Sequence, residues 1–280
     1  MASILALLSS FLWGTADFLG GNLAKRFHSM AVTGASQAVG LVVGVALILG
    51  SNGYIAPNLS WNGYLLPGVG AGIAGFAGLT AFYAGLATGR MGVVSPISSL
   101  SAIIPLAFAF AQGERPHLIE YIGMGVALAG AFCASGPEVI KGLPIKPLAL
   151  GGAAALGFGT ALTFMAQGSK TSSLMTMTSM RLLTVSFCAL LALKIRSVGG
   201  FKRQDLIMLA IIGSTDFLAN FLLGVATTKG LVSIAMILGS LFPIVTALLA
   251  FKFLHERLHK VQYLGIFLAV SGVALISITG

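Results

Sequence analysis

Ten apolar stretches of about 20 residues follow one another along this chain, each long enough to cross the hydrocarbon core of a bilayer as a helix. They run roughly over 3–24, 30–50, 62–87, 92–112, 117–136, 147–168, 174–194, 206–227, 231–253 and 261–278. The connections are short and carry turn residues, as in Gly50-Ser51-Asn52-Gly53, Gly142-Leu143-Pro144 and Gly199-Gly200. Charged residues are only 8% of the chain, about a third of what a water-facing domain uses, so lipid is the solvent for most of it. Lipid offers the backbone no partner but itself, and the expected fold is an all-α integral membrane bundle.

The few charges have a pattern. The odd-numbered loops hold Lys25, Arg26, Arg90, Lys141, Lys146, Lys194, Arg196, Lys202, Arg203, Lys252, Arg257 and Lys260, against Arg115, Lys170 and Lys229 in the even-numbered ones. Positive loops stay on the cytoplasmic side during insertion, which places both termini outside a cytoplasmic membrane. This scatter over loops also accounts for the net charge of +9 without a nucleic-acid partner, which would need a basic stripe on one surface. The first apolar run has no basic leader and is long enough to span, so it reads as a membrane helix and not as a cleavable signal.

The chain repeats itself. Glu114-Arg115-Pro116-His117, followed by Tyr121 and Gly123, matches Glu256-Arg257-Leu258-His259, followed by Tyr263 and Gly265, and Gly130 with Gly272 extends the match. Earlier, Trp13-Gly14-Thr15-Ala16 faces Phe158-Gly159-Thr160-Ala161, with Lys25 against Lys170 and Met30 against Met175 at the same spacing. The two halves, 1–140 and 145–280, are therefore read as five-helix repeats. Five is odd, so the second copy enters the membrane upside down. Inverted repeats of this kind mark secondary transporters, whose site lies near the midplane between the halves.

These residues resemble the drug/metabolite transporter superfamily, in its EamA-type branch. The resemblance rests on Trp13-Gly14-Thr15-Ala16-Asp17-Phe18, on Gly113-Glu114-Arg115-Pro116, and on Pro243 thirteen residues before Glu256-Arg257. The first half departs from the pattern, with Ser101 where a proline matching Pro243 would sit and Pro105 one turn later. It implies a ten-helix exporter or permease for amino acids, other metabolites or toxic compounds.

Three full charges fall deep within the spans: Asp17, Arg181 and Asp216. Each costs about 2.5–3.5 kcal/mol in a lipid-facing position, so they must face the interior and find partners. Depths counted at about 1.5 Å per residue put Arg181 level enough with Asp216 to pair, and Asp17 about 10 Å from Arg181 along the membrane normal. The functional reading gives Asp17, with Asp216, the coupling proton, and lets Arg181 hold a substrate carboxylate; the bland one makes Arg181 and Asp216 a packing device. Asn220, Gln167, Ser98 and Ser240 are the polar neighbours expected to line the path, with Trp13 and Tyr83 as amphipathic aromatics. Pro105 and Pro243 are the expected helix hinges, each releasing a carbonyl one turn earlier.

Other motifs lead away from chemistry. His255-Glu256-Arg257-Leu258-His259 fits the zinc-peptidase pattern, but the matching segment Gly113-Glu114-Arg115-Pro116-His117 has only one of the two histidines. The shared part is a structural junction. The glycines Gly68, Gly70, Gly72, Gly75 and Gly78 read as a close-packing face, because no strand precedes them and no Lys-Ser or Lys-Thr follows. Cys133 and Cys188 are apolar filler. Gly123, Gly130, Gly265 and Gly272 suit either internal packing or a homodimer. No cofactor and no enzyme activity are expected. The expected function is proton-coupled export of a small metabolite by alternating access. The alternatives are an uptake permease for a sugar or other metabolite, a membrane-embedded enzyme, and a non-transporting scaffold.

Overall fold

A computed structural model describes residues 1–88, 91–134, 145–197, 199–253 and 258–278. Its elements are all helical: α1 (Ala2–Ala24), α2 (Ser29–Ser51), α3 (Leu65–Ala87), α4 (Met91–Ser99), a 3-10 turn (Leu100–Ala102), α5 (Ile103–Ala111) and α6 (Leu118–Ala134), then α7 (Ile145–Ile195), α8 (Arg203–Lys229), α9 (Val232–Gly239), α10 (Phe242–Phe253) and α11 (Lys260–Ser277). Among the described residues, eight helical stretches are long and apolar enough to cross a membrane. One of them, Ile145–Lys194, has 50 residues, and Leu118–Ala134 is a shorter apolar helix besides.

The expected spans 92–112 and 231–253 are present as the helical stretches Val94–Ala111 and Val232–Phe253, each with a short irregular turn inside it, the 3-10 turn between α4 and α5 and residues 240–241 between α9 and α10. Proline is the cause: its ring cannot accommodate the carbonyl one turn earlier, yet it fits the first turn of a new helix. Pro105 is third in α5 and Pro243 second in α10. Conversely, the two stretches 147–168 and 174–194 run on as α7, interrupted only at Ser172, whose φ of −164° and ψ of 113° are extended. Its Oγ accepts from the Met175 N–H at 3.2 Å, as a helix N-cap does.

The repeated junction explains itself as a helix start. The His117 N–H donates to Glu120 Oε2 at 2.6 Å, and the His259 N–H donates to Gln262 Oε1 at 2.9 Å. Each side chain returns to cap the backbone of its own first turn. His259 thus has a structural place at the start of α11, while His255, Glu256 and Arg257 lie outside the described residues.

Packing interleaves the halves. The third-helix glycines lie along α7: Gly68 against Thr176 and Ser179, Gly72 and Gly75 against Met180, Gly78 against Phe158. Gly123 and Gly130 of α6 face Gly265 and Gly272 of α11 within the chain. Two glycines matter more for the site. A Cβ on Gly14 would lie 2.6 Å from the Phe242 carbonyl oxygen, at the α9–α10 break. A Cβ on Gly159 would lie 2.6 Å from the Ser101 carbonyl oxygen, at the α4–α5 break. Gly14 and Gly159 are partners in the repeat, so the first helix of each half packs against the broken helix of the other.

Candidate functional site

Where α1, α2, α3, α7, α8 and α10 converge around the 3-10 turn, they leave a cavity of about 70 Å³. Trp13, Asp17, Gln37, Ser101, Arg181, Asp216 and Asn220 supply its polar wall, and Phe158, Phe242, Leu79, Leu162 and Met180 the apolar one. The wall keeps the register of the repeat. Trp13 and Phe158, and Asp17 and Leu162, are each 145 residues apart, and all four face the cavity. It is a space between two copies of one structure, with an acid, Asp17, in the first copy where the second has a leucine, Leu162.

Asp216 organises the polar side. It sits midway along α8, and its Oδ2 accepts from Arg181 Nη2 at 2.8 Å and Gln37 Nε2 at 2.9 Å. Its Oδ1 accepts from Asn220 Nδ2 at 3.1 Å and Trp13 Nε1 at 3.2 Å. A carboxylate has about four lone-pair sites, and here all four are filled. Arg181, only 1% exposed, is matched in charge by the same group. Among the described residues its Nε has no hydrogen-bond partner; it rests near Gly40 on α2, while the guanidinium lies 6.0 Å from the centre of the Phe217 ring.

Asp17 is different. It lies one turn beyond Trp13 on α1, is 8% exposed, and makes no hydrogen bond or ion pair to any described residue. Its carboxyl faces the cavity, with Asp216 and Tyr83 within electrostatic reach.

The remaining expected residues lie off this wall. Tyr83 is buried on α3 with its ring against Gly20, in the cluster that holds Phe82 and Leu86. Ser98 and Ser240 turn their hydroxyls back to their own helices, donating to the Ser95 carbonyl at 2.9 Å and the Ile237 carbonyl at 2.7 Å. Gln167 reaches the loop before α3, with Nε2 at 3.5 Å from both the Trp61 carbonyl and Asn62 Oδ1. Pro105 and Pro243 are buried beside the helix breaks. Gln37, Phe158 and Phe242 were not expected at the site. Gln37 could have been found, since it is a buried amide in the middle of an apolar run, and Phe158 as the repeat partner of Trp13.

A helical membrane bundle with a partly charged cavity between two duplicated halves is the architecture expected of a secondary transporter. The model of the EamA-like transporter family matches residues 1–136 and again 146–278, and the chain belongs to that family. It is a multi-pass membrane protein of the drug/metabolite transporter type, which points to transport and not to enzymatic activity. One solved crystal structure, described simply as that of a protein, superposes with a TM-score of 0.79 over 99% of this chain and 96% of its own, at 18% identity. That likeness is one of fold. No curated protein matches the chain.

Proposed function

We propose that this protein is a secondary active transporter that moves a small organic solute across the cytoplasmic membrane in exchange for protons, in the direction of export. The observation that carries the reading is the cavity wall: positions related by the repeat meet there from both halves, around Asp17, Arg181 and Asp216. A site shared between two halves can be exposed to either side as one rocks against the other.

Ten spans fit this reading. The 51 residues of α7 would measure about 76 Å as one helix, far more than a hydrocarbon core of about 30 Å, and Ser172 divides it at a suitable point. With Leu118–Ala134 the count reaches ten, and residues 1–140 and 145–280 become inverted repeats. The contacts between loops support the inversion. Odd loops meet odd ones, as Arg26 meets Asp205 at 3.1 Å and Phe27 meets Phe201 at 4.7 Å. Even loops meet even ones: Glu114 accepts from the Val232 and Ser233 N–H groups at 2.7 and 3.0 Å, and Lys170 donates to Gln112 at 3.3 Å. Each end is thus tied across the two halves, and alternating access must release the ties in turn. Lys and Arg in the odd loops put that end in the cytoplasm and both termini outside.

Asp17 carries the exchanged proton, as the one acid in the cavity whose oxygens are unclaimed among the described residues. Arg181, Asp216, Trp13, Gln37 and Asn220 form the frame that shapes the site. The test is counterflow of labelled amino acids, sugars, nucleosides and organic cations in liposomes holding the purified protein. Exchange of at least one class, weakened for Asp17→Asn under an imposed pH gradient, is expected. No exchange across the panel refutes the transporter reading, and unchanged gradient-driven exchange by the variant removes Asp17 as the coupling group.

A further inference from the structure

A second cavity lies away from the central one, on the outside of the bundle. It is a groove of about 390 Å³ between the first turns of α2 and the last turns of α7. Ala31, Ala35 and Ala38 form one wall, and Cys188, Ala189 and Ala192 the other. Each set recurs at helical spacing, so small side chains line both helices along the groove. At its floor the helices touch: a Cβ on Gly34 would lie 3.0 Å from the Cys188 side chain. Leu190 and Leu193, beside the groove on α7, are exposed, as side chains that meet lipid are.

The two ends of the groove differ. From His28 to Ala38 is about 15 Å of helix, half of a hydrocarbon core of about 30 Å, so the groove is one leaflet deep. Its strong hydrogen-bonding side chains, His28 and Ser197, stand together at one end. His28 Nδ1 accepts from the Met30 N–H at 3.3 Å, which leaves Nε2–H to donate elsewhere. Ser197 Oγ accepts from the Gly199 N–H at 3.3 Å and keeps its own proton to donate. The segments 25–28 and 194–205 meet at this end through Arg26 with Asp205 and Phe27 with Phe201. They carry Lys25, Arg26, Lys194, Arg196, Lys202 and Arg203 against a single acid, Asp205. Cations at the mouth of an apolar groove suit an anionic headgroup above an acyl chain. Small residues also suit a helix of a second copy, but two copies joined here would bring two such cationic clusters together.

We propose that this groove binds one anionic phospholipid of the leaflet on the odd-loop side, with an acyl chain between α2 and α7 and the phosphate at His28 and Ser197. That this is the cytoplasmic leaflet, whose surface is negative, rests on the orientation proposed above; the groove and its charge do not. The lipid sits on a seam that the central site depends on. Gln37 is on α2 three residues beyond Gly34, Arg181 is on α7 two turns before Cys188, and both hold Asp216. Because α2 belongs to the first half and α7 to the second, a chain wedged between them braces one half against the other.

The experiment uses the full chain in mixed micelles, with phosphatidylglycerol as probe and phosphatidylcholine of the same acyl chains as control. Native mass spectrometry should show one phosphatidylglycerol retained per chain, and phosphatidylcholine retained about tenfold less. In a Cys133→Ser background, phosphatidylglycerol should slow maleimide labelling of Cys188, and phosphatidylcholine should not. Ala189→Phe fills the groove from an exposed position and should abolish the retention. Lys194→Gln with Arg196→Gln, both at the surface, should weaken it about tenfold or more, roughly fivefold for each cation. If Ala189→Phe does not elute as the native protein does, the charge variants and the labelling of Cys188 decide. Equal retention of the two lipids, retention unchanged by Ala189→Phe or by the charge variants, or one labelling rate throughout overturns the proposal. A dimer that Ala189→Phe disrupts and lipid leaves intact gives the groove to a second copy and overturns it too. Counterflow is a separate measurement, so any of these results leaves the transporter reading standing, and a failed counterflow leaves the lipid site standing.

Discussion

Replacing Asp216 by Leu removes an acceptor from four donors at once: Trp13, Gln37, Arg181 and Asn220. The damage falls mainly on Arg181. Its guanidinium is 1% exposed, and without Asp216 it is a buried charge with no counter-ion. Breaking a buried pair from one side costs about 3–5 kcal/mol, a large part of the roughly 5–15 kcal/mol that keeps a protein folded. Arg181→Met should cost a similar amount, since it leaves Asp216 buried with only neutral donors. The double variant should do better than the sum, because an apolar pair of similar volume avoids both desolvation costs. These differences are measured by unfolding in mixed detergent micelles, with the two single variants and the double variant forming a thermodynamic cycle. A coupling of about 2 kcal/mol or more is expected. Effects that add to within about 0.5 kcal/mol would refute the view that the two charges form one unit.

Other outcomes follow from the same contacts. Glu114→Ala strips the carboxylate from the first turn of α9 and should cost about 1–2 kcal/mol. It should also raise the labelling rate of a cysteine placed at Ser233 by an impermeant maleimide; an unchanged rate would show that the tie does not hold that end shut. Gly14→Val and Gly159→Val should each cost about 1–3 kcal/mol, by pushing a helix away from the broken helix of the other half. If either variant melted at the native temperature, the close approach would be wrong.

Much of the fold could be read from the residues because lipid is a strict solvent. It requires long apolar runs, and it leaves Asp17, Arg181 and Asp216 conspicuous. Depth along a helix is countable, so the pairing of Arg181 with Asp216 was within reach. Rotation about the axis was not. In a helix apolar on every side, no polar face marks the outside, so the sequence does not say which serine or tyrosine turns inward. Hence Tyr83, Ser98, Ser240 and Gln167, expected on the wall, lie elsewhere, while Phe158 and Phe242 stand on it. Gln37 has no charged residue on its own helix to mark it, although a buried amide also demands a partner. The helix breaks were foreshadowed by Pro105 and Pro243, but hydropathy alone reads straight through them.

The account depends on the two halves lying in opposite senses, and Lys25 and Lys170 test it most directly. They are 145 residues apart, matched in the repeat and both exposed. In a background with Cys133 and Cys188 changed to Ser, Lys25→Cys and Lys170→Cys are each treated with an impermeant maleimide on intact cells and on permeabilised ones. The account predicts that Lys170→Cys is labelled on intact cells and Lys25→Cys only after permeabilisation. Labelling of both from the same side would contradict it.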